Sequence, residues 1–136
     1  MPTIYVNTDN SDRRKKLYIA SKLGKSAAKA EEKMQDAVEA VVGKAPDFTT
    51  DKSRSKKGYT IILEVKVAAG AGKTTVSLNI LINRYPDGDT VMTTVKSGTA
   101  TVDGGPEGFP LDVLEDLVTG AVPKTFPVMR IDMMRR

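Results

Sequence analysis

The sequence predicts an α+β fold: an antiparallel sheet of three central strands, with N- and C-terminal edge strands, covered by two helices in the order β-α-β-β-β-α-β. Three observations predict it. Residues 58–67 and 74–83 alternate apolar and polar side chains at period two, as half-buried strands do. Residues 26–43 and 110–122 repeat apolar side chains every three or four positions, as one-sided helices do. Between the two alternating runs, residues 68–73 form a small, glycine-bearing connection suited to a hairpin.

In the first central strand Ile61, Leu63, Val65 and Val67 fall on one face, with Thr60, Glu64 and Lys66 opposite. The return strand puts Val76, Leu78, Ile80 and Ile82 together, against Ser77, Asn79 and Asn83. Tyr85-Pro-Asp-Gly-Asp89 signals a tight reversal. A Thr- and Val-rich third strand spans 90–102 and is less clearly one-sided. Such a sheet needs a cover on its apolar face, and the helices on either side in sequence supply it.

Ahead of the sheet, residues 3–6 form a short β-prone run, read as an edge strand. The polar cluster that ends it holds Asp9, Asn10 and Ser11, any of which suits a helix N-cap. Residues 17–25 read equally as a short helix broken at Gly24 or as a strand-like loop. The first helix then sets Ala30, Met34, Ala37, Val38 and Val41 on one face and ends at Gly43, read as a C′ residue followed by Lys44. Residues 44–58 are expected to be a mobile basic loop.

Behind the sheet, Pro110 suits the first turn of the second helix, and Asp112, Glu115 and Asp116 complement its positive end. Leu111, Leu114, Leu117, Val118 and Val122 form its stripe, and Pro123 stops it. Residues 123–136 then read as extended, either an arm or an edge strand, with Met129, Ile131 and Met133 on one face and Arg130 and Asp132 on the other.

A length of 136 residues suits one domain, 1–136. The chain has no Cys, so disulfides, thiolate metal sites and cysteine nucleophiles are excluded. It has no His, which removes the commonest neutral-pH acid/base and zinc ligand. No cofactor, no metal and no enzymatic activity are expected. Neither a signal peptide nor an apolar membrane span is visible, so the expected location is cytoplasmic, with association to a particle as the alternative.

Two motifs imitate active sites. Gly70-Ala-Gly-Lys-Thr-Thr75 matches the end of a phosphate-binding loop, but Val67 stands where the leading glycine belongs and the following residues alternate as a strand. Ser53 and Lys56 have the S-x-x-K spacing of a serine–lysine site, yet a lysine-rich polar loop cannot desolvate the base. The element order is similar to that of double-stranded-RNA-binding domains, which carry a basic cluster at the start of their last helix. Asp112, Glu115 and Asp116 hold that position here, with the wrong sign.

Charge is segregated along the chain. Residues 11–58 hold thirteen Lys/Arg against seven Asp/Glu, residues 59–120 hold four against eight, and the last sixteen hold four against one. Such polarity serves either a polyanion or a second copy of the chain. The expected function is therefore a structural or assembly protein forming a homo-oligomer or larger complex through sheet edges, charge complementarity and the Met-rich tail. Its self-association candidates are Met129, Ile131, Met133, Arg135 and Arg136. The alternative is a nucleic-acid-binding module using Arg13, Arg14, Lys15, Lys16, Lys22, Lys25, Lys52, Arg54, Lys56 and Lys57, and a small enzyme is the remote third. The expected partners are other copies or another protein, with nucleic acid as the alternative and no membrane.

Overall fold

A computed structural model describes residues 3–9, 16–85 and 88–136, with the backbone alone for 92–97. Among the described residues six strands and three α-helices follow one another as β1 (Ile4–Asn7), β2 (Tyr18–Ile19), α1 (Ala27–Gly43), β3 (Phe48–Thr49), β4 (Gly58–Gly70), β5 (Lys73–Tyr85), β6 (Thr90–Asp103), α2 (Leu111–Ala121) and α3 (Phe126–Arg135). The strand order across the sheet is β3-β1-β4-β5-β6, with β2 continuing along the same edge of β4 as β1.

The expected antiparallel core is present: β4 pairs with β5 and β5 with β6, both antiparallel. The sheet as a whole is mixed, which corrects the expectation of a purely antiparallel one. β1 and β2 run parallel to β4, and β1 runs parallel to β3. The reason is the connection. A strand that returns to its own sheet through a helix comes back in the same direction, and α1 is that helix. Nor is β1 an edge strand, since it lies between β3 and β4.

The hairpin between β4 and β5 is tighter than its glycine-rich sequence requires. Strand pairing runs to Gly70 opposite Lys73, leaving a two-residue turn of Ala71 (φ 54°) and Gly72 (φ 73°). Positive φ at both positions defines a type I′ turn, whose twist matches that of the strands it joins. Lys73 and Thr74 therefore begin a strand and not a helix, and the nucleotide-loop imitation has no helix N-terminus to offer a phosphate.

The core lies between one face of the sheet and helices α1 and α2. Ile61, Leu63 and Val65 face Ile82, Ile80 and Leu78 in register, and all six are buried. Met34, Val38 and Val42 from α1 and Leu114 and Val118 from α2 close over them. Each large aliphatic side chain so buried contributes ~1.5–3 kcal/mol. Gly43 is the last residue of α1 and has no positive φ, so it is not the left-handed C′ residue that its position in sequence suggests. Of residues 17–25, both readings hold a part: Tyr18–Ile19 is a strand, and Ser21–Ser26 is a 3-10 segment kinked at Gly24, whose φ is 62°.

The largest departure is the C-terminus. It is neither an arm nor an edge strand but helix α3, joined to α2 through a single 3-10 turn, Val122–Thr125. Pro127 sits in the first turn, where its missing N–H leaves no bond unmade. The face that Met129, Ile131 and Met133 would share in a strand does not exist in a helix.

Two positions carry backbone consequences that can be measured. Gly58 lies where β1 meets β4, and an added Cβ there would stand 1.8 Å from the Tyr5 carbonyl oxygen. Gly58→Ala is expected to cost ~3 kcal/mol or to part β1 from the sheet, read by urea unfolding. Ala71→Asn should raise stability by ~0.5–1 kcal/mol, because Asn tolerates the left-handed conformation better than Ala.

Candidate functional site

Helix α3 is laid across the end of the sheet by three arginines and two carboxylates. On one side Arg130 forks onto Asp47, the residue before β3, through Nε at 2.8 Å and Nη2 at 3.0 Å. Its guanidinium also lies 5.3 Å from the Phe48 ring centroid and 5.7 Å from that of Phe126. Those two rings stack on each other at 4.4 Å. The apolar anchor and the ion pair thus act on the same turn of helix.

On the other side the polarity is reversed, with the helix supplying the carboxylate. Arg84 of β5 forks onto Asp132, donating from Nη2 at 2.6 Å and Nε at 3.1 Å. Tyr59 of β4 donates its hydroxyl to the same carboxylate at 2.6 Å. Arg136 then donates to the carbonyl oxygens of Gly58 and Tyr85 at 3.0 and 3.2 Å and covers the Tyr59 ring. Asp47 and Arg84 belong to opposite sides of the sheet end, so the helix bridges them.

The electrostatics follow from this geometry. The Arg84 fork holds the Asp132 carboxyl below the usual carboxylate range, against burial that pushes it up, and the Tyr59 hydroxyl adds to the lowering. Arg130 does the same for Asp47. Burial first, and then the bond to Asp132, push the Tyr59 hydroxyl up to about 12. Tyr18 is raised as well, by burial, and its hydroxyl has no hydrogen-bond partner among the described residues.

Beside α3 runs an apolar groove of ≈ 590 Å³, lined by Thr3, Ile4, Pro46, Asp47, Arg130, Met133 and Met134. The large hydrophobic side chains that stand exposed among the described residues are both on this helix: Ile131 at 53% and Met134 at 84%. No group of three or more metal-ligating side chains occurs among the described residues, and no helix among them is long and apolar enough to cross a membrane.

The residues singled out from sequence fall in several places. Met129 is fully buried in the core, Met133 lines the groove, Ile131 and Arg135 are exposed, and Arg136 clamps the ends of β4 and β5. Of the basic set, Arg13, Arg14 and Lys15 lie outside the described residues. Lys16 is ion-paired with Glu31 at 2.8 Å. Lys22 and Lys25 are exposed on the 3-10 segment after β2, which joins β4 near Leu63. Lys52, Arg54, Lys56 and Lys57 are exposed in the loop leading into β4 at Gly58. Five residues of strand separate those two attachment points, ~16 Å, so the described cations divide between two places along the sheet. The residues that sequence reasoning passed over are Asp47, Tyr59, Arg84 and Phe126. Their partners stand 48 to 83 positions away, and no local pattern announces them.

No known family profile matches the chain, and no curated protein matches it. Among solved structures, the PelC dodecamer from Paraburkholderia phytofirmans in space group P6 is 11% identical, with a TM-score of 0.45. A variant of that dodecamer in space group C2 is 14% identical, with a TM-score of 0.42. In both cases 93% of this chain and 86% of that chain are covered. Likenesses this distant assign this chain neither a function nor an assembly.

The lowered carboxylates give the helix a defined pH response. Their folded pKa values lie below the unfolded ones, so the stability they contribute is present above the ordinary carboxylate range and lost as pH falls through the lowered values. Urea unfolding should show wild-type stability dropping below about pH 4. Asp132→Asn should be less stable than wild type at pH 7 and flatter over the acid range. A variant with the full wild-type acid slope would mean that Asp132 does not hold the helix.

Proposed function

We propose that the chain is a non-catalytic structural module that assembles with copies of itself, with the outer side of α3 as a contact surface. The observation that carries this reading is the concentration of exposed apolar surface on one short helix. Pro127, Ile131 and Met134 recur at i, i+4 and i+7 on its solvent side, the spacing by which one helix packs on another. The groove lies beside that stripe. A two-fold axis between two copies places each stripe over the other's groove, so a second copy satisfies both features at once. The ion pairs at Asp47 and Asp132 keep the helix in the orientation that presents them.

Static light scattering at low ionic strength should give a discrete oligomer whose mass falls on dilution. Met134→Lys combined with Ile131→Glu should raise the dissociation constant by about tenfold or more, equivalent to ~1.4 kcal/mol. Neither side chain is in the core, so the circular dichroism of the variant should match wild type. A wild-type chain that stays monomeric at high concentration would refute the reading.

A further inference from the structure

The two edges of the sheet are finished differently. The β3 edge is two residues long and lies under α3 and the Asp47–Arg130 pair, as protected edges usually are. The β6 edge is fourteen residues long, and no described element bonds to its outer side. From residue 98 to 102 it reads Gly-Thr-Ala-Thr-Val, without a proline or a charge.

The direction of its backbone groups follows from one bond. Gly104 N–H donates to Gly72 O at 2.8 Å, so residue 104 points toward β5. Backbone direction alternates along a strand, which turns 98, 100 and 102 toward β5 as well. The N–H and C=O groups of Thr99, Thr101 and Asp103 therefore point away from the sheet.

The layer above is unfinished on the same side. Leu117 of α2 leans over β6 and fills the space left by Gly98, where an added Cβ would come within 3.1 Å of it. Leu117 and Val113, one helical turn apart, remain only half-buried, as do Ala100 and Val102 beneath them. Gly120 extends the same flank with no side chain and open space around it. At 100° per residue Glu115 falls on the opposite side of the helix, while Asp112 and Asp116 lie on its solvent face and border this flank.

We infer that the β6–α2 edge is a second self-association surface, on which β6 of another copy pairs antiparallel about a two-fold axis within residues 99–103 and the two α2 flanks close against each other. A lone extended peptide would satisfy the outward N–H and C=O groups but leave Val113 and Leu117 uncovered. A second copy brings a strand and a helix in the same relative arrangement, so both layers continue across the axis. The inference rests on the self-association reading but uses the edge of the sheet opposite α3. With two separate two-fold surfaces on one chain, assembly proceeds beyond a dimer to even-numbered rings or to chains.

The test is amide hydrogen exchange on the full chain at two concentrations, with the mass measured in parallel by light scattering. The amides of Thr99, Thr101 and Asp103 should slow by about tenfold or more on concentration, while exposed loop amides stay unchanged. Thr99→Pro removes one outward N–H and no bond to β5, and should abolish that protection while the far-ultraviolet spectrum is kept. Val113→Glu addresses the helix layer should the proline disturb the strand, and should lower the assembly mass. An oligomer whose 99, 101 and 103 amides exchange freely at every concentration would overturn this inference and leave the α3 reading standing. A monomer at every concentration would overturn both.

Discussion

The ladder between β4 and β5 is the constraint on which the rest of the molecule depends. It pairs thirteen residues of each strand without a register shift, from Gly58 opposite Tyr85 to Gly70 opposite Lys73. The left-handed pair Ala71 and Gly72 closes it at one end. A slip by one residue would turn Ile61, Leu63, Val65 and their partners out of the core. Every other element takes its place from this pair. The parallel N-terminal strands line its outer side, β6 lines the other, and α1 and α2 close on the face that the register selects.

Much of this was legible because it is periodic. The alternation in β4 and β5 and the three-to-four spacing in α1 and α2 identified these elements and most of the residues they bury, since burial of one face imposes the same period on sequence and structure. Val67, Leu111 and Leu117 on those faces are only half-buried. Strand direction is a different kind of information. The order strand, helix, strand favours parallel pairing, and the run at residues 3–6 followed by α1 already contained that hint. Its place between β3 and β4 did not show, because β3 has only Phe48 and Thr49 to announce it.

The C-terminal helix was misread for an instructive reason. Two prolines four residues apart look like an extended stretch, yet Pro127 occupies a first helical turn just as Pro110 precedes α2. What selects the helix is tertiary: Phe126 stacking on Phe48, and Arg130 and Asp132 each finding an opposite charge far away in the chain. Ionic partners separated by more than forty residues leave no trace in spacing. The Met-rich, basic composition of the C-terminus is read directly from the sequence, while its helical geometry depended on contacts that only the fold supplies.

The bond from the Tyr59 hydroxyl to Asp132 has a spectroscopic consequence. The chain has four tyrosines and no tryptophan, so its ultraviolet emission comes from phenol rings alone. A phenol that donates to a carboxylate is a poor emitter, because the excited ring readily gives up its proton to that acceptor. Lifting the last helix from the sheet would free one ring of the four from this quencher. The protein thus carries a native, label-free optical reporter of whether its final ten-residue segment is seated.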